Sequence, residues 1–260
     1  MSLITLTTDF GESSPYVACM KGVILSITPS TSIFDLSHQI PPQDLRHAAY
    51  FIATAIPYFP SRSIHVVVVD PGVGMDRAIL LAKLEAQYVL VPDNGVATLL
   101  FDRHPPTKIW KLTETRFWRG SISDTFHGRD IFAPVAGNLA LERRPERFGE
   151  AVTTWVRLPG QPFLAEGNRI VGSIQFVDHF GNLITNIPSR ALSKAPARLG
   201  IAGQTVEDVN WVRTYGEAAA GNLIGLKSSD GFVEIAVVHG SAADRLSLGA
   251  GTSVEIDLPK

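Results

Sequence analysis

Three aspartates each close a short apolar run and are followed within two residues by glycine: Asp9 after LITLTT, Asp70 after HVVVV and Asp93 after YVLVP. A carboxylate so placed can hold a ligand hydroxyl or polarise a water, and the glycine beside it permits positive φ and close approach of a ligand to the backbone. One strand-end aspartate is ordinarily a turn or a helix cap. Three that point to one edge favour a polar ligand site, because ligands of α/β sheets bind beyond the carboxyl ends of the strands. Around Asp70 the chain reads DPGVGMDR, where Pro71 fixes φ and Gly72 and Gly74 can turn the chain so that Arg77 folds back on Asp70. Spacing alone leaves two readings open, an ion pair bracing a loop or a pair that acts on a ligand. The glycines form neither a P-loop nor a GxGxxG fingerprint.

A further cluster is SDTFHGRDIFAP, Ser123 to Pro134, in which His127 and Gly128 stand just before an expected helix. A histidine at a helix start can be held neutral by the helix dipole and serve as acid or base; a cap or a packed core histidine is the alternative. The seven histidines are scattered, and no HxH, HExxH or CxxC spacing occurs, so no catalytic metal is expected. FVDHFGNLITNI, Phe176 to Ile187, gathers Asp178, Phe180 and Asn182 around a glycine. A ring to stack on a base and an amide to read its edge would suit adenine; a core Phe beside a turn Asn is the plainer reading. Tyr215, in RTYGEAAAGN, is a second candidate ring or a half-buried strand residue.

These residues need elements to carry them. Strands are expected at Leu3–Thr8, Ile33–Leu36, Ile64–Val69, Ala78–Leu84 and Tyr88–Val91. One helix shows Val17, Met20, Ile24 and Ile27 at three- and four-residue steps and stops before Pro29. A second starts at Asp44, buries Leu45, Ala48, Ala49, Ile52, Ile56 and Phe59, and runs to Pro60. A third carries Ile131, Val135 and Leu139. Strands alternating with helices imply a mixed sheet covered by helices. After Trp155 the character changes. RLPGQPFLAEGN, Arg157 to Asn168, lacks periodicity, and beyond it short β-rich runs are separated by turn pairs, Ala202-Gly203 and Asp230-Gly231. The expected organisation is therefore an α/β catalytic domain over residues 1–157, a linker over 158–168 and a smaller all-β, barrel-like domain over 169–260.

The 260 residues are 45% hydrophobic and 18% charged, enough for a sizeable core and too apolar for disorder. A net charge of −2 gives no electrostatic reason to expect nucleic acid or an anionic membrane as partner. The lone cysteine, Cys19, excludes an intrachain disulfide and is expected buried within its apolar surroundings. No apolar run approaches about 18 residues. The opening MSLITLTTDF lacks a basic segment followed by a long apolar one, so no signal peptide is expected and the cytoplasm is the expected compartment.

Taken together, TTDFG, SHQIPPQDLRHAA, VVVVDPGVGMDR, VPDNG, TFHGRDIFAPVA, DHFGNLITNI and SSDGFVEIAVVHGSAA resemble, in order and across nearly the whole chain, the S-adenosyl-L-methionine hydroxide adenosyltransferase family, the adenosine-forming SAM hydrolases related to the fluorinase and chlorinase. The resemblance implies a homotrimer whose active sites lie between the first domain of one chain and the second domain of its neighbour. It implies attack of water at C5′ of the ribose of S-adenosyl-L-methionine, with no cofactor. The family's water-activating Asp, Arg and His fall on Asp70, Arg77 and His127. Asp9 falls on the residue that holds the ribose hydroxyls, and Asp178 on the one that pairs with the methionine ammonium. Phe180 and Tyr215 fall where rings sandwich adenine, Asn182 where an amide reads its edge, and Ser229 near the methionine carboxylate. Asp230 stands where the fluorinase has an arginine. The halogenases differ at four further positions: Tyr in place of Asp70, Tyr in place of His127, the halide-binding Ser in place of Gly128, and Trp in place of Gln43. A negative Asp70 would repel a halide but accept a hydrogen bond from water. A halogenase of the same fold and a non-catalytic SAM- or nucleoside-binding module are the alternative functions.

Overall fold

The computed structural model describes residues 3–142, 144–160 and 163–259. Gln161 and Pro162, inside the expected linker, lie outside the described residues. The chain divides into two compact units, Met1–Leu158 and Pro159–Lys260.

The first unit is a seven-stranded mixed sheet in the order β2-β1-β3-β5-β4-β6-β7. Its strands are β1 (Leu3–Thr8), β2 (Ser32–Ser37), β3 (Ile64–Val68), β4 (Ile79–Lys83), β5 (Tyr88–Pro92), β6 (Lys108–Leu112) and β7 (Gly149–Val152). β2, β1, β3 and β5 run parallel, so the segments leaving β1, β3 and β5 emerge at one edge. The helices are α1 (Tyr16–Ile27), α2 (Leu45–Ala55), α3 (Thr98–Arg103) and α4 (Ala133–Glu142). Every residue of β3 is buried. Ile64, Val66 and Val68 pack with Met20 and Ile24 of α1 and Val135 and Leu139 of α4, whereas Val67 and Val69 pack with Ile52 of α2 and Leu100 of α3. Burial on both faces is what makes Val66–Val69 continuously apolar rather than alternating.

Asp44 starts α2 as expected, its Oδ1 accepting from the backbone N–H of Arg46 at 3.0 Å and His47 at 2.9 Å. The helix ends at Ala55, earlier than expected, and a short 3₁₀ turn covers Ile56–Tyr58. The cause is Pro57, which has no N–H to continue the helical ladder. Cys19 is exposed, contrary to expectation. The buried residues of α1 are Met20 and Ile24, and a residue one step before Met20 is turned about 100° away from that stripe.

The second unit is a mostly-β half-barrel. Its sheet runs β12-β11-β16-β9-β10-β15-β14-β13, with β8 beside β9. The strands are β8 (Leu164–Glu166), β9 (Arg169–Val177), β10 (Leu183–Pro188), β11 (Arg198–Ile201), β12 (Gln204–Val206), β13 (Asn210–Trp211), β14 (Leu223–Lys227), β15 (Phe232–Val237) and β16 (Ser253–Asp257), with one short helix, α5 (Ala242–Leu246). β8 falls within the segment expected as linker. Both turn pairs make hairpins. Ala202 and Gly203 take φ of 54° and 78°, joining β11 to β12, and Gly231 at φ 82° closes the β14–β15 turn. Ile174, Leu183, Val233, Ile235 and Val254 form the core. Among the described residues no helix is long and apolar enough to cross a membrane.

Candidate functional site

Beyond the carboxyl ends of β1 and β3 lies a cleft of ≈ 240 Å³ lined by Asp9, Phe10, Gln43, Asp70, Pro71, Val73, Thr125, Phe126, His127 and Gly128, among others. Asp70 follows directly on the buried valines, so a rigid strand fixes its Cα. Two consecutive turns, Val73 N–H to Asp70 carbonyl at 3.1 Å and Met75 N–H to Gly72 carbonyl at 3.1 Å, then double the chain back. Gly74, at φ 77°, leaves no room for a side chain: a Cβ there would lie 2.3 Å from the carbonyl oxygen of Asp124. The turn-back delivers Arg77, whose Nε donates to Asp70 Oδ1 at 3.0 Å and Oδ2 at 2.8 Å, and whose Nη2 also donates to Oδ2. The Asp70 side chain is 4% exposed and that of Arg77 10%.

The same Arg77 Nη2 lies 3.0 Å from His127 Nδ1. A guanidinium can only donate, so Nδ1 accepts and the proton of the neutral imidazole sits on Nε2. The pKa of His127 is lowered from its usual 6.5, first by burial and then by the Arg77 charge, with Asp70, Asp130 and Asp124 pulling the other way. Burial and a guanidinium thus both favour the neutral imidazole. His127 caps a turn of π-helix, Gly128–Phe132, that runs straight into α4; such turns recur at functional sites. Gly128 is buried beneath the cleft, and a Cβ there would press on Met20 Sδ at 3.2 Å and Phe126 at 3.4 Å.

Asp9 lines the cleft, and its Oδ2 accepts from the backbone N–H of Gln43 at 2.8 Å. Gln43 adopts a left-handed φ of 63°. Asp93 does not line it: its Oδ1 accepts from Val156 N–H at 2.8 Å and braces the chain at the end of the unit. Two of the three strand-end carboxylates therefore serve the cleft and the third is structural. Sequence reading overlooked an aromatic wall, in which Phe10, Tyr16 and Phe126 meet edge to face at centroid distances of 5.0–5.9 Å. It also overlooked Asp130, fully buried, whose carboxylate receives Arg129 at 2.7 and 2.8 Å and the Ser123 N–H at 2.9 Å. Only its place beside Arg129, three residues after His127, could have signalled it.

In the second unit Asp178 and Asn182 come together. Asp178 Oδ1 accepts from the N–H of Phe180 at 2.9 Å and of Asn182 at 2.8 Å, and Oδ2 accepts from Asn182 Nδ2 at 2.8 Å. Gly181 between them takes φ 80°, and a Cβ there would collide with Ser241. This tight loop leaves Phe180 73% exposed. Tyr215 lies in a 3₁₀ turn and donates its hydroxyl to Glu234, which is 4% exposed. Burial, followed by the bond to Glu234, pushes the Tyr215 phenol well above its usual value; burial likewise raises the Glu234 carboxyl. Ser229 sits exposed in the β14–β15 turn. Among the described residues no group of three or more His, Cys, Asp or Glu could hold a metal ion.

Fold and cleft define a two-unit protein, in which one unit gathers a carboxylate, a guanidinium and an imidazole at the carboxyl edge of an α/β sheet and the other is a half-barrel. The chain belongs to the SAM hydroxide adenosyltransferase family, matching its N-terminal domain over residues 4–149 and its C-terminal domain over residues 172–255. It is 38% identical to the (R)-S-adenosyl-L-methionine hydrolase of Thermus thermophilus, over 98% of this chain and 100% of the relative. It is 36% identical to that of Salinispora tropica, over 97% of each. A crystal structure of an uncharacterized conserved protein from Thermotoga maritima superposes with a TM-score of 0.89 at 32% identity, covering 99% of this chain and 100% of that one. The fluorinase of an Actinoplanes species is more distant, at 26% identity over 98% of this chain and 97% of the relative.

Proposed function

We propose that the protein hydrolyses S-adenosyl-L-methionine to adenosine and L-methionine, by attack of an activated water at C5′ of the ribose. The observation that carries the reading is the Asp70–Arg77–His127 constellation, of which Asp70 and His127 line the cleft. Free water, with a pKa of about 15.7, is a poor nucleophile at neutral pH. In the site Arg77 occupies His127 Nδ1, and Nε2 carries the proton, so the imidazole offers no free lone pair. Asp70 is then the group that takes the proton of water, Arg77 orients it, and the His127 Nε2–H is a donor toward the oxygen. The water oxygen bonds to C5′, the C5′–S bond breaks, and its electron pair goes to sulfur, which leaves as a neutral thioether. A positioned base contributes about 10²–10⁴-fold, and holding the water in line adds to it. No Lewis acid is required for such a leaving group, so the reading includes independence from metal. The Asp70 carboxylate disfavours a halide in the same place.

For binding, Asp9, steadied through Oδ2 by Gln43, takes the ribose hydroxyls, with Gly128 flooring the cleft. Asp178 takes the ammonium, Phe180 and Tyr215 stack on adenine, Asn182 reads its edge and Ser229 meets the carboxylate. The catalytic set lies in the first unit and the adenine set in the second, and the reading joins them across chains in a cytoplasmic homotrimer. The test is incubation of the purified protein with S-adenosyl-L-methionine in H₂¹⁸O, with and without chelator. Adenosine labelled at its 5′-oxygen, plus methionine, at a rate the chelator leaves unchanged, is expected. Intact substrate, or unlabelled adenosine, overturns the reading.

A further inference from the structure

We infer that Asp130 is the positioning residue of the imidazole: it clamps the segment 119–126 to the turn that follows and so holds His127 against Arg77, an inference that rests on the hydrolase reading above. Asp130 is fully buried and reaches that segment at three points. Its carbonyl accepts from Arg119 N–H at 2.9 Å, its carboxylate accepts from Ser123 N–H at 2.9 Å, and its own N–H donates to the Phe126 carbonyl at 3.2 Å. The carboxylate is held in turn by Arg129 through a two-pronged pair at 2.7 and 2.8 Å, and Arg119 Nε approaches Oδ1 at 3.2 Å. Two guanidiniums and a backbone N–H converge on one buried side chain.

The clamp matters because of what the segment touches. The carbonyl of Asp124 abuts Gly74, where a Cβ would be 2.3 Å away, so the loop carrying Arg77 and the segment leading to His127 press backbone on backbone. Where the segment sits therefore decides whether His127 Nδ1 reaches Arg77, a contact of 3.0 Å. A carboxylate serving only the dipole of the following helix would not need bonds to Ser123 and Arg119. Asn at 130 keeps the shape but turns an NH₂ toward donors, Arg129 or Ser123, so one tether must fail.

The test is a double-mutant cycle. Asp130→Asn should lower kcat by about 10–100-fold, the scale of a misplaced catalytic group, with KM for S-adenosyl-L-methionine little changed. In a His127→Ala background the same change should cost no more than about twofold, because residues acting as a unit are non-additive. Equal losses in both backgrounds overturn the inference and make Asp130 a stability residue. Should Asp130→Asn fail to fold, Arg129→Gln, at a partly exposed side chain, loosens the same carboxylate and carries the same cycle with a smaller loss. A second readout does not depend on turnover: ¹⁵N shifts of the His127 ring should report a fixed Nε2–H tautomer in the parent and averaged tautomers in Asp130→Asn. A parent that fails to hydrolyse the substrate sinks the hydrolase reading alone, whereas an unchanged tautomer in the variant sinks the clamp.

Discussion

Arg77 has five N–H groups and no acceptor, and that limitation orders its neighbours. It faces a carboxylate on one side and an imidazole nitrogen on the other, so both must present lone pairs. Protonating His127 on Nδ1 would set donor against donor, in line with a pKa that burial and the Arg77 charge hold below 6.5. The three side chains thus share one protonation pattern and one geometry. Asp70→Ala is expected to lose roughly 10²–10⁴-fold in kcat, the usual worth of a positioned base, while calorimetry shows S-adenosyl-L-methionine still bound. Arg77→Ala and His127→Ala should show losses of similar size, and pairs of these changes should be little worse than one. Strictly multiplied losses would separate the three roles, and a near-normal Asp70→Ala would remove that residue from water activation.

At the scale of elements, β3 is the rod on which the site hangs, and its own interior carries a titratable group. His65 is fully buried in β3, with Nδ1 2.7 Å from Thr5 Oγ1 of β1 and its ring edge to face with Phe59. Burial pushes its pKa down to about 3. Since the folded value lies below the unfolded one, the unfolded chain binds the extra proton between about pH 6.5 and 3. Stability is therefore full above pH 6.5 and is lost as pH falls through that window, by an amount on the order of 5 kcal/mol at its acid end. His65→Gln, which keeps a polar partner for Thr5, should flatten this acid dependence in urea unfolding curves; an unchanged slope between pH 6.5 and 4 would contradict it. Elements of this kind were legible because burial on two faces writes itself as VVVV and burial on one writes itself at helical spacing, as at Met20 and Ile24. Strand-end geometry made Asp9 and Asp70 readable too. What stayed hidden was set by tertiary contacts without period or motif. Asp93 looked like its two counterparts until Val156 was seen to occupy it. Asp130, flanked by Arg129, reads as a solvated charge pair, and only folding reveals it at the centre of a segment distant by up to eleven residues. Cys19 lies among apolar neighbours in sequence yet faces away from the buried stripe.

At the scale of the whole molecule, the two units divide the proposed labour unequally. The first holds Asp9, Asp70, Arg77 and His127 around one cleft. The second exposes Phe180 at 73% and Tyr215 at 42% beside Asp178 and Asn182. An aromatic ring that exposed contributes little to its own unit's core, yet the loop beneath Phe180 is built tightly, with Gly181 pressed on Ser241 and Asp178 tying three groups. A rigid loop presenting an unburied ring suits a stacking surface for a base. In the proposed trimer each site takes its catalytic half from one chain and its adenine half from the next, as a cyclic head-to-tail assembly requires. The expectation is complementation between Asp70→Ala chains and chains carrying Phe180→Ala with Asn182→Ala, each inactive alone. A site is intact only when its catalytic half comes from the second kind of chain and its adenine half from the first. Random mixing in equal amounts makes that about one site in four, so activity should rise to roughly a quarter of the parent's once a cyclic assembly has exchanged its subunits. Native mass spectrometry can verify the exchange independently. If each chain built its own site, every site in the mixture would keep one defect, and activity would stay at the level of the separate variants however completely the subunits had exchanged.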